Sequence, residues 1–262
     1  MTDYADWMPR LVSLAHSAGE AIMEIYATDF EHQTKSDDSP VTAADLAAEA
    51  IIEAGLAELA PDIPLVAEEA ASEGHLPDIS GGLFWLVDPL DGTREFVSRN
   101  GEFTVNIGLI ADGAPVLGIV HAPALDLTFT GLVGSGATVS RDGGLATPVS
   151  VRPATADNLT IVASRRHGDP EAIDRLLRGR PVADRKTAGS SLKFCLVAEG
   201  EADIYPRFGR TMEWDTAAGQ GVLIAAGGQV TDEQGAPLTY GKPGLDNPAF
   251  VAWGGIEPWA GD

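Results

Sequence analysis

The sequence predicts an α+β first half followed by an α/β second half. Three observations predict it. Helical periodicity opens the chain, strand-length apolar runs joined by a tight turn follow, and beyond about residue 150 strands and helices alternate. The stretch from Pro148 to Pro153 is the expected junction. It divides the chain into an N-terminal α+β domain over 1–150 and a C-terminal α/β domain over 151–262.

Leu11, Leu14, Ala15, Ala18, Ile22, Ile25 and Tyr26 fall at helical spacing, which predicts an amphipathic helix over about 5–27. The polar stretch 31–40 (EHQTKSDDSP) reads as a loop. A second helix runs from Thr42 to about Leu59, with Thr42 and Asp45 at the N-cap and N3 spacing of a capping-box variant. Pro61 and Pro64 end this region. Val66–Ala67 is a short strand leading into Glu68-Glu69. The apolar run Leu83–Val87 (LFWLV) is a strand that Asp88-Pro89 stops. Thr104–Ile110 and Val116–His121 are two more strands, paired antiparallel across Ala111-Asp112-Gly113-Ala114. In the second half, Thr160–Ala163 is a strand and Glu171–Leu177 a helix. Ser190 or Ser191 caps a helix reaching Ala198, and Ala202–Tyr205 is a strand. A helix over Trp214–Ala226 closes at Gly227-Gly228.

Apolar residues make up 44% of the 262 and charged residues 21%, an ordinary globular composition with length enough for a substantial core. Lys and Arg number 17 against 39 Asp and Glu, a formal charge of −22. Such a surface repels nucleic-acid backbones and anionic membranes, so no nucleic-acid polymer is expected as a partner. A small phosphorylated substrate stays compatible, because bound divalent cations reverse the sign locally. The charge is uneven: 5 basic and 24 acidic residues lie in 1–150, against 12 and 15 in 151–262. Acidity for solubility alone accounts equally well for that imbalance. Cys195 is the one cysteine, which excludes an intramolecular disulfide, and its apolar setting reads as core. The start lacks a basic stretch followed by an apolar run, and no segment approaches the roughly 20 apolar residues of a membrane span. A cytoplasmic protein without membrane insertion is the expectation.

The most informative stretch is Trp85-Leu86-Val87-Asp88-Pro89-Leu90-Asp91-Gly92-Thr93. It delivers two aspartates at the carboxyl end of a strand, three positions apart. Carboxylates so clustered repel one another unless a cation sits among them, and hard oxygen ligands suit magnesium or manganese. Alone, a DxxD pair is as consistent with a capped turn. The hexamer Asp88-Pro89-Leu90-Asp91-Gly92-Thr93 resembles the DP(L/I)DGT signature of the inositol-monophosphatase superfamily. Further blocks of that family appear in order: Val41-Thr42-Ala43-Ala44-Asp45, Glu68-Glu69, and Trp214-Asp215-Thr216-Ala217-Ala218-Gly219. Together they span 41–219. Within the family, Thr93-Arg94-Glu95-Phe96, the run Arg99–Ile107 and the run Arg207–Asp215 look like the 3′(2′),5′-bisphosphate nucleotidases of the CysQ type. Arg94 departs from the lysine expected there, keeping the charge but changing the donor geometry.

The resemblance implies a layered αβαβα sandwich with two sheets and a magnesium-dependent phosphomonoesterase. It implies that Glu68, Asp88 and the Leu90 carbonyl hold one magnesium, and that Asp88, Asp91 and Asp215 hold a second. A third, weaker metal near Lys35 is a further implication. Thr93 would orient the attacking water, with Asp45 and Glu68 completing the catalytic set. Gly92, Thr93, Arg94 and Asp215 would face the substrate, and His167, Ser190, Lys193 and Arg207 would hold the rest of a nucleotide. Each has a plainer reading on its own: a solvated acid for Glu68, dipole compensation for Asp215, a helix cap for Asp45, a surface cation for Lys35 or His167. The implied reaction is hydrolysis of adenosine 3′,5′-bisphosphate to AMP and phosphate, within sulfur metabolism and inhibited by lithium. An inositol-monophosphatase or histidinol-phosphatase activity is the alternative on the same fold. A non-catalytic nucleotide-binding protein is the alternative from another class. The family is often dimeric, so a homodimer is within what the resemblance implies.

Overall fold

The structure, a computed structural model, describes residues 4–28, 32–34, 40–164 and 169–259. Helix α1 (Met8–Tyr26) follows a 3-10 turn at Tyr4–Trp7 and buries Leu11, Ala15, Ala18 and Ile22, the stripe its periodicity marks. Strands β1 (His32–Thr34) and β2 (Pro40–Thr42) then pair antiparallel, where the polar composition reads as a loop. Strands this short and polar carry no apolar alternation to betray them. Helix α2 (Ala43–Leu59) packs with α1 in one apolar cluster.

Next come β3 (Leu65–Ala67), α3 (Glu68–Ser72), β4 (Leu83–Asp91), α4 (Thr93–Val97), β5 (Thr104–Ala111) and β6 (Ala114–Ala122). β7 (Leu127–Leu132), β8 (Gly136–Arg141) and β9 (Thr147–Val149) complete a seven-stranded sheet in the order β3-β4-β5-β6-β7-β8-β9. β3 runs parallel to β4, and every other neighbouring pair is antiparallel. The last three strands are not among the expected elements, because the alternation in β7 and β8 is short and rests on few large apolar side chains, Leu127 and Phe129 in one and Ala137 and Val139 in the other.

The remaining elements are β10 (Leu159–Ala163), α5 (Pro170–Leu177), β11 (Val182–Thr187), α6 (Leu192–Ala198), β12 (Ile204–Arg207), β13 (Thr211–Met212), α7 (Trp214–Ala225), β14 (Gln229–Asp232), β15 (Asp246–Asn247) and β16 (Phe250–Trp253). Five of these strands form a mixed sheet in the order β11-β10-β12-β16-β14, and β13 pairs with β15. The parallel part, β11-β10-β12, is the α/β pattern of the sequence, and β16 pairs antiparallel with both its neighbours.

Apolar side chains bind these parts into a layered αβαβα sandwich. α1 and α2 cover one face of the seven-stranded sheet through Leu11, Ile22, Ile52, Trp85 and Ile107. α6 and α7 fill the space between the sheets with Phe194, Val197, Val222 and Leu223, meeting Val120 and Phe129 on one side and Tyr205 and Phe250 on the other. α5 covers the far face of the second sheet through Ile173, Leu176 and Leu177. One close approach seats α7: a Cβ at Gly118 of β6 would occupy the place of the Ala218 backbone carbonyl.

Candidate active site

The motif at the end of β4 does more than stop the strand. Asp88 pairs with Asn106 and Asp91 with Thr104, so three steps on β4 match two on β5. This is a β-bulge, and pairing resumes after it, which corrects the reading that Asp88-Pro89 ends the strand. In a regular strand positions 88 and 91 face opposite sides, because side chains alternate. The extra residue turns both carboxylates to one cavity. Pro89 needs no ladder partner there, and the Leu90 amide donates to Asp88 Oδ1 at 3.1 Å. Gly92 follows in the left-handed region, at φ 91°, and α4 starts at Thr93. The Thr93 hydroxyl donates to the Leu90 carbonyl at 3.4 Å.

Glu68 enters from the first residue of α3. The Glu49 carboxylate on α2 fixes that helix start by accepting the amides of Glu69 and Ala70 at 2.9 and 3.0 Å. Asp215 comes from the first turn of α7 and accepts the Met212 amide at 2.9 Å. Asp45 lies fully buried in the first turn of α2.

Glu68, Asp88, Leu90, Asp91, Gly92, Thr93, Arg94, Ser190, Lys193, Arg207 and Asp215 all line one cavity of about 290 Å³. Burial, then the charges of Glu68, Asp91, Asp215 and Asp45, pushes the Asp88 carboxyl well above its usual range. Burial also raises Asp91, against the pull of Lys193, Ser191 and Asn106. Asp215 is pushed up to about 8 by burial and by Asp91 and Glu68. Lys193 is lowered to about 8, chiefly by burial.

Two predicted residues, Lys35 and His167, lie outside the described residues. Two others sit differently from the expectation. Ser191 stands at the N-cap of α6 without a side-chain cap bond, because its hydroxyl turns to Asp91 Oδ2 at 3.1 Å and the Asp215 carbonyl at 3.0 Å. The Ser190 hydroxyl lies within donating distance of the Asp91 and Glu102 carbonyls, at 2.8 and 2.7 Å, so its proton serves the backbone rather than a substrate. Cys195 is core, as its setting implied. The cavity also includes Phe194, Tyr205 and Thr211, none of which stands out in its local sequence. Asn106 did leave a signal, as a lone amide in the apolar strand TVNIGLIA.

The model of the inositol monophosphatase family matches residues 3–256. The chain belongs to this family. It is 46% identical over 248 residues to the 3′(2′),5′-bisphosphate nucleotidase CysQ of Salmonella typhimurium (strain LT2), covering 93% of this chain and 98% of that one. Identity to the protein of the same name from Escherichia coli (strain K12) is 44% over 248 residues, with the same coverage. Among solved structures, CysQ from Bacteroides thetaiotaomicron superposes with a TM-score of 0.77 at 36% identity, covering 97% of this chain and 98% of that one. An inositol monophosphatase from Anabaena superposes with a TM-score of 0.77 at 26% identity, covering 97% and 93%.

The donor set of this inositol monophosphatase family member suits magnesium. Its oxygens are hard, its carboxylates share one cavity, and their mutual repulsion is the kind a divalent cation relieves. The carboxylates line the cavity without closing on a point: among the described residues, no three His, Cys, Asp or Glu side chains form a ready-made cage. Among the described residues, no helix is long and apolar enough to cross a membrane.

Proposed function

We propose that the chain is a magnesium-dependent 3′(2′),5′-bisphosphate nucleotidase, a phosphomonoesterase that hydrolyses the 3′-phosphate of adenosine 3′,5′-bisphosphate to AMP and phosphate. One observation carries the reading. A single cavity is lined both by a carboxylate cluster from β4, α3 and α7 and by cations that include, besides Arg94 next to the motif, Lys193 of α6 and Arg207 of β12. A monophosphate needs only the first group. A substrate with a second phosphate uses both. The relatives that carry the nucleotidase name match this chain along nearly its whole length, which supports the same substrate class.

Under this reading Glu68, Asp88, Asp91, Asp215 and the Leu90 carbonyl would hold two magnesium ions, with Asp88 shared. Bound, they supply positive charge to the transferred phosphate and lower the pKa of a water. Thr93 orients the attacking water through its hydroxyl, with buried Asp45 behind it. The amides of Gly92 and Thr93 face the transferred phosphate. Lys193 already points its ammonium at the Ser190 carbonyl, at 2.5 Å, and more distantly at the Ala188 carbonyl, at 3.4 Å. Its third N–H serves the phosphate that is not cleaved. Arg207 donates through Nη2 to the Arg210 carbonyl at 3.1 Å and keeps its Nε buried, and its Nη donors would serve the same phosphate.

Chromatography of the products after incubation of adenosine 3′,5′-bisphosphate with the protein and magnesium tests this. AMP and one equivalent of phosphate are expected, with no turnover in excess chelator. Adenosine 3′-phosphate as the product, or unreacted substrate with magnesium present, overturns the assignment.

A further inference from the structure

We infer that Asn106 and Ser191 are positioning residues for Asp91, holding one of its carboxylate oxygens so that the other is presented to the cavity. The inference rests on the proposed reading of Asp91 as a cation ligand. It concerns two side chains from two different layers of the sandwich. Asn106 belongs to β5 and is fully buried. Ser191 precedes α6 and is 1% exposed.

Asn106 Nδ2 donates to Ser191 Oγ at 3.0 Å and approaches Asp91 Oδ2 at 3.4 Å. Ser191 Oγ in turn lies 3.1 Å from Asp91 Oδ2 and 3.0 Å from the Asp215 carbonyl. A serine hydroxyl has one proton. Since Asn106 already fills one of its lone pairs, that proton is free to go to the ionised carboxylate, where a hydrogen bond is stronger than to a neutral carbonyl. Both contacts converge on Oδ2, and neither touches Oδ1. The Asn106 orientation follows from the same chemistry, because a flipped amide would set its oxygen against the carboxylate. Among the described residues Asn106 Oδ1 has no hydrogen-bond partner. An amide that leaves half its capacity unused in a dry strand carries a cost, and the carboxylate contact is what offsets it.

The arrangement spans the site. β4 supplies Asp91, β5 supplies Asn106, the residue before α6 is Ser191, and Ser191 lies against the backbone of Asp215 on α7. With its proton on Asp91, Ser191 lies beside the Asp215 carbonyl at 3.0 Å without bonding it, so its hold is on Asp91. Outer partners that orient a ligating carboxylate commonly change metal affinity by about ten- to a hundredfold when removed.

Calorimetric titration of the substrate-free protein with manganese chloride tests this without reading activity. The variants are Ser191→Ala, Asn106→Ala, their double, and Asp91→Asn, each checked for cooperative thermal unfolding. A loss of affinity of about ten- to a hundredfold is expected in each single positioning variant, with the double little worse than either, because both act through one oxygen. If Asp91→Asn abolishes a binding event that Ser191→Ala and Asn106→Ala leave at wild-type affinity, the positioning role is wrong and the ligand reading stands. If Asp91→Asn itself binds manganese as wild type does, the ligand reading is wrong. Should the Asn106 variant not fold, Ser191→Ala removes only one oxygen and decides alone.

Discussion

Asp88 is buried beside Glu68, Asp91 and Asp215, so its ionised form is costly whenever no cation is bound. Asp88→Asn removes the charge and keeps the shape. Turnover should be lost, while the metal-free protein unfolds at a higher temperature, by about 2–4 °C for each kcal/mol of repulsion relieved. Near-normal phosphate release in that variant would reject a shared role for Asp88. Thr93 tests a different function, since its hydroxyl is no expected ligand. Thr93→Ala should lower kcat by about 100-fold or more with little change in KM, the scale of one positioned proton-handling group. Steady-state kinetics beside a manganese titration separates that outcome from a lost cation. For the cations the cleaner variant is Arg207→Ala, because Lys193 also holds the carbonyls of Ser190 and Ala188. Arg207→Ala should cost about ten- to a hundredfold in kcat/KM on adenosine 3′,5′-bisphosphate and much less on a monophosphate, as one charge-assisted contact of about 1.5–3 kcal/mol implies. Equal losses on both would move Arg207 to the transferred phosphate.

At the scale of elements, the site depends on how α7 lies on the seven-stranded sheet. Gly118→Ala would drive a methyl into the Ala218 backbone. Overpacking of that kind costs about 1–3 kcal/mol, and because α7 carries Asp215, kcat should fall along with stability. Urea unfolding and activity measured together test this, and a variant stable but inactive, or active but unstable, would show that α7 and the site are not so linked. The same elements mark what was legible in the sequence. α1 follows its apolar period, and α2, β5, β6, α5 and α7 lie within a few residues of their expected bounds. β7 to β9 stand out less: Leu127 and Phe129 alternate with Thr128 and Thr130, and Ala137 and Val139 with Thr138 and Ser140, but these runs are short and hold few large apolar side chains. The hexamer at 88–93 announced the cluster, yet the bulge that turns Asp91 toward Asp88 is a property of pairing with β5 and is invisible in β4 alone. Ser191 shows the limit most clearly. Its local sequence reads as a helix cap, and a carboxylate a hundred residues away takes its proton instead.

The whole molecule is strongly acidic, with a formal charge of −22, so general repulsion already disfavours the compact state at neutral pH. One histidine adds a distinct acid sensitivity. His121 of β6 is buried against α1, where its ring lies 4.6 Å from His16 and its Nδ1 meets Thr128 at 3.0 Å. Burial first, and His16 second, lowers its pKa from 6.5 to about 4. The unfolded chain therefore takes up this proton before the folded one does. Stability from a neutral His121 is present above about pH 6.5 and is lost as pH falls toward 4, a contribution of about 3 kcal/mol in full. The raised carboxyls of Asp88, Asp91 and Asp215 gain stability over the same interval, so the readout is a difference: urea unfolding at pH 7.5 and pH 5 should show the wild type losing stability on acidification relative to His121→Gln, and equal changes in the two proteins would assign the sensitivity to other groups. Competing phosphomonoesters decide the substrate. The measurement is kcat/KM for phosphate release from adenosine 3′,5′-bisphosphate, inositol 1-phosphate and histidinol phosphate, with magnesium at fixed ionic strength. The bisphosphate should lead by about tenfold or more, the value of one additional charge-assisted contact. A monophosphate turned over as well or better would rule out a bisphosphate nucleotidase.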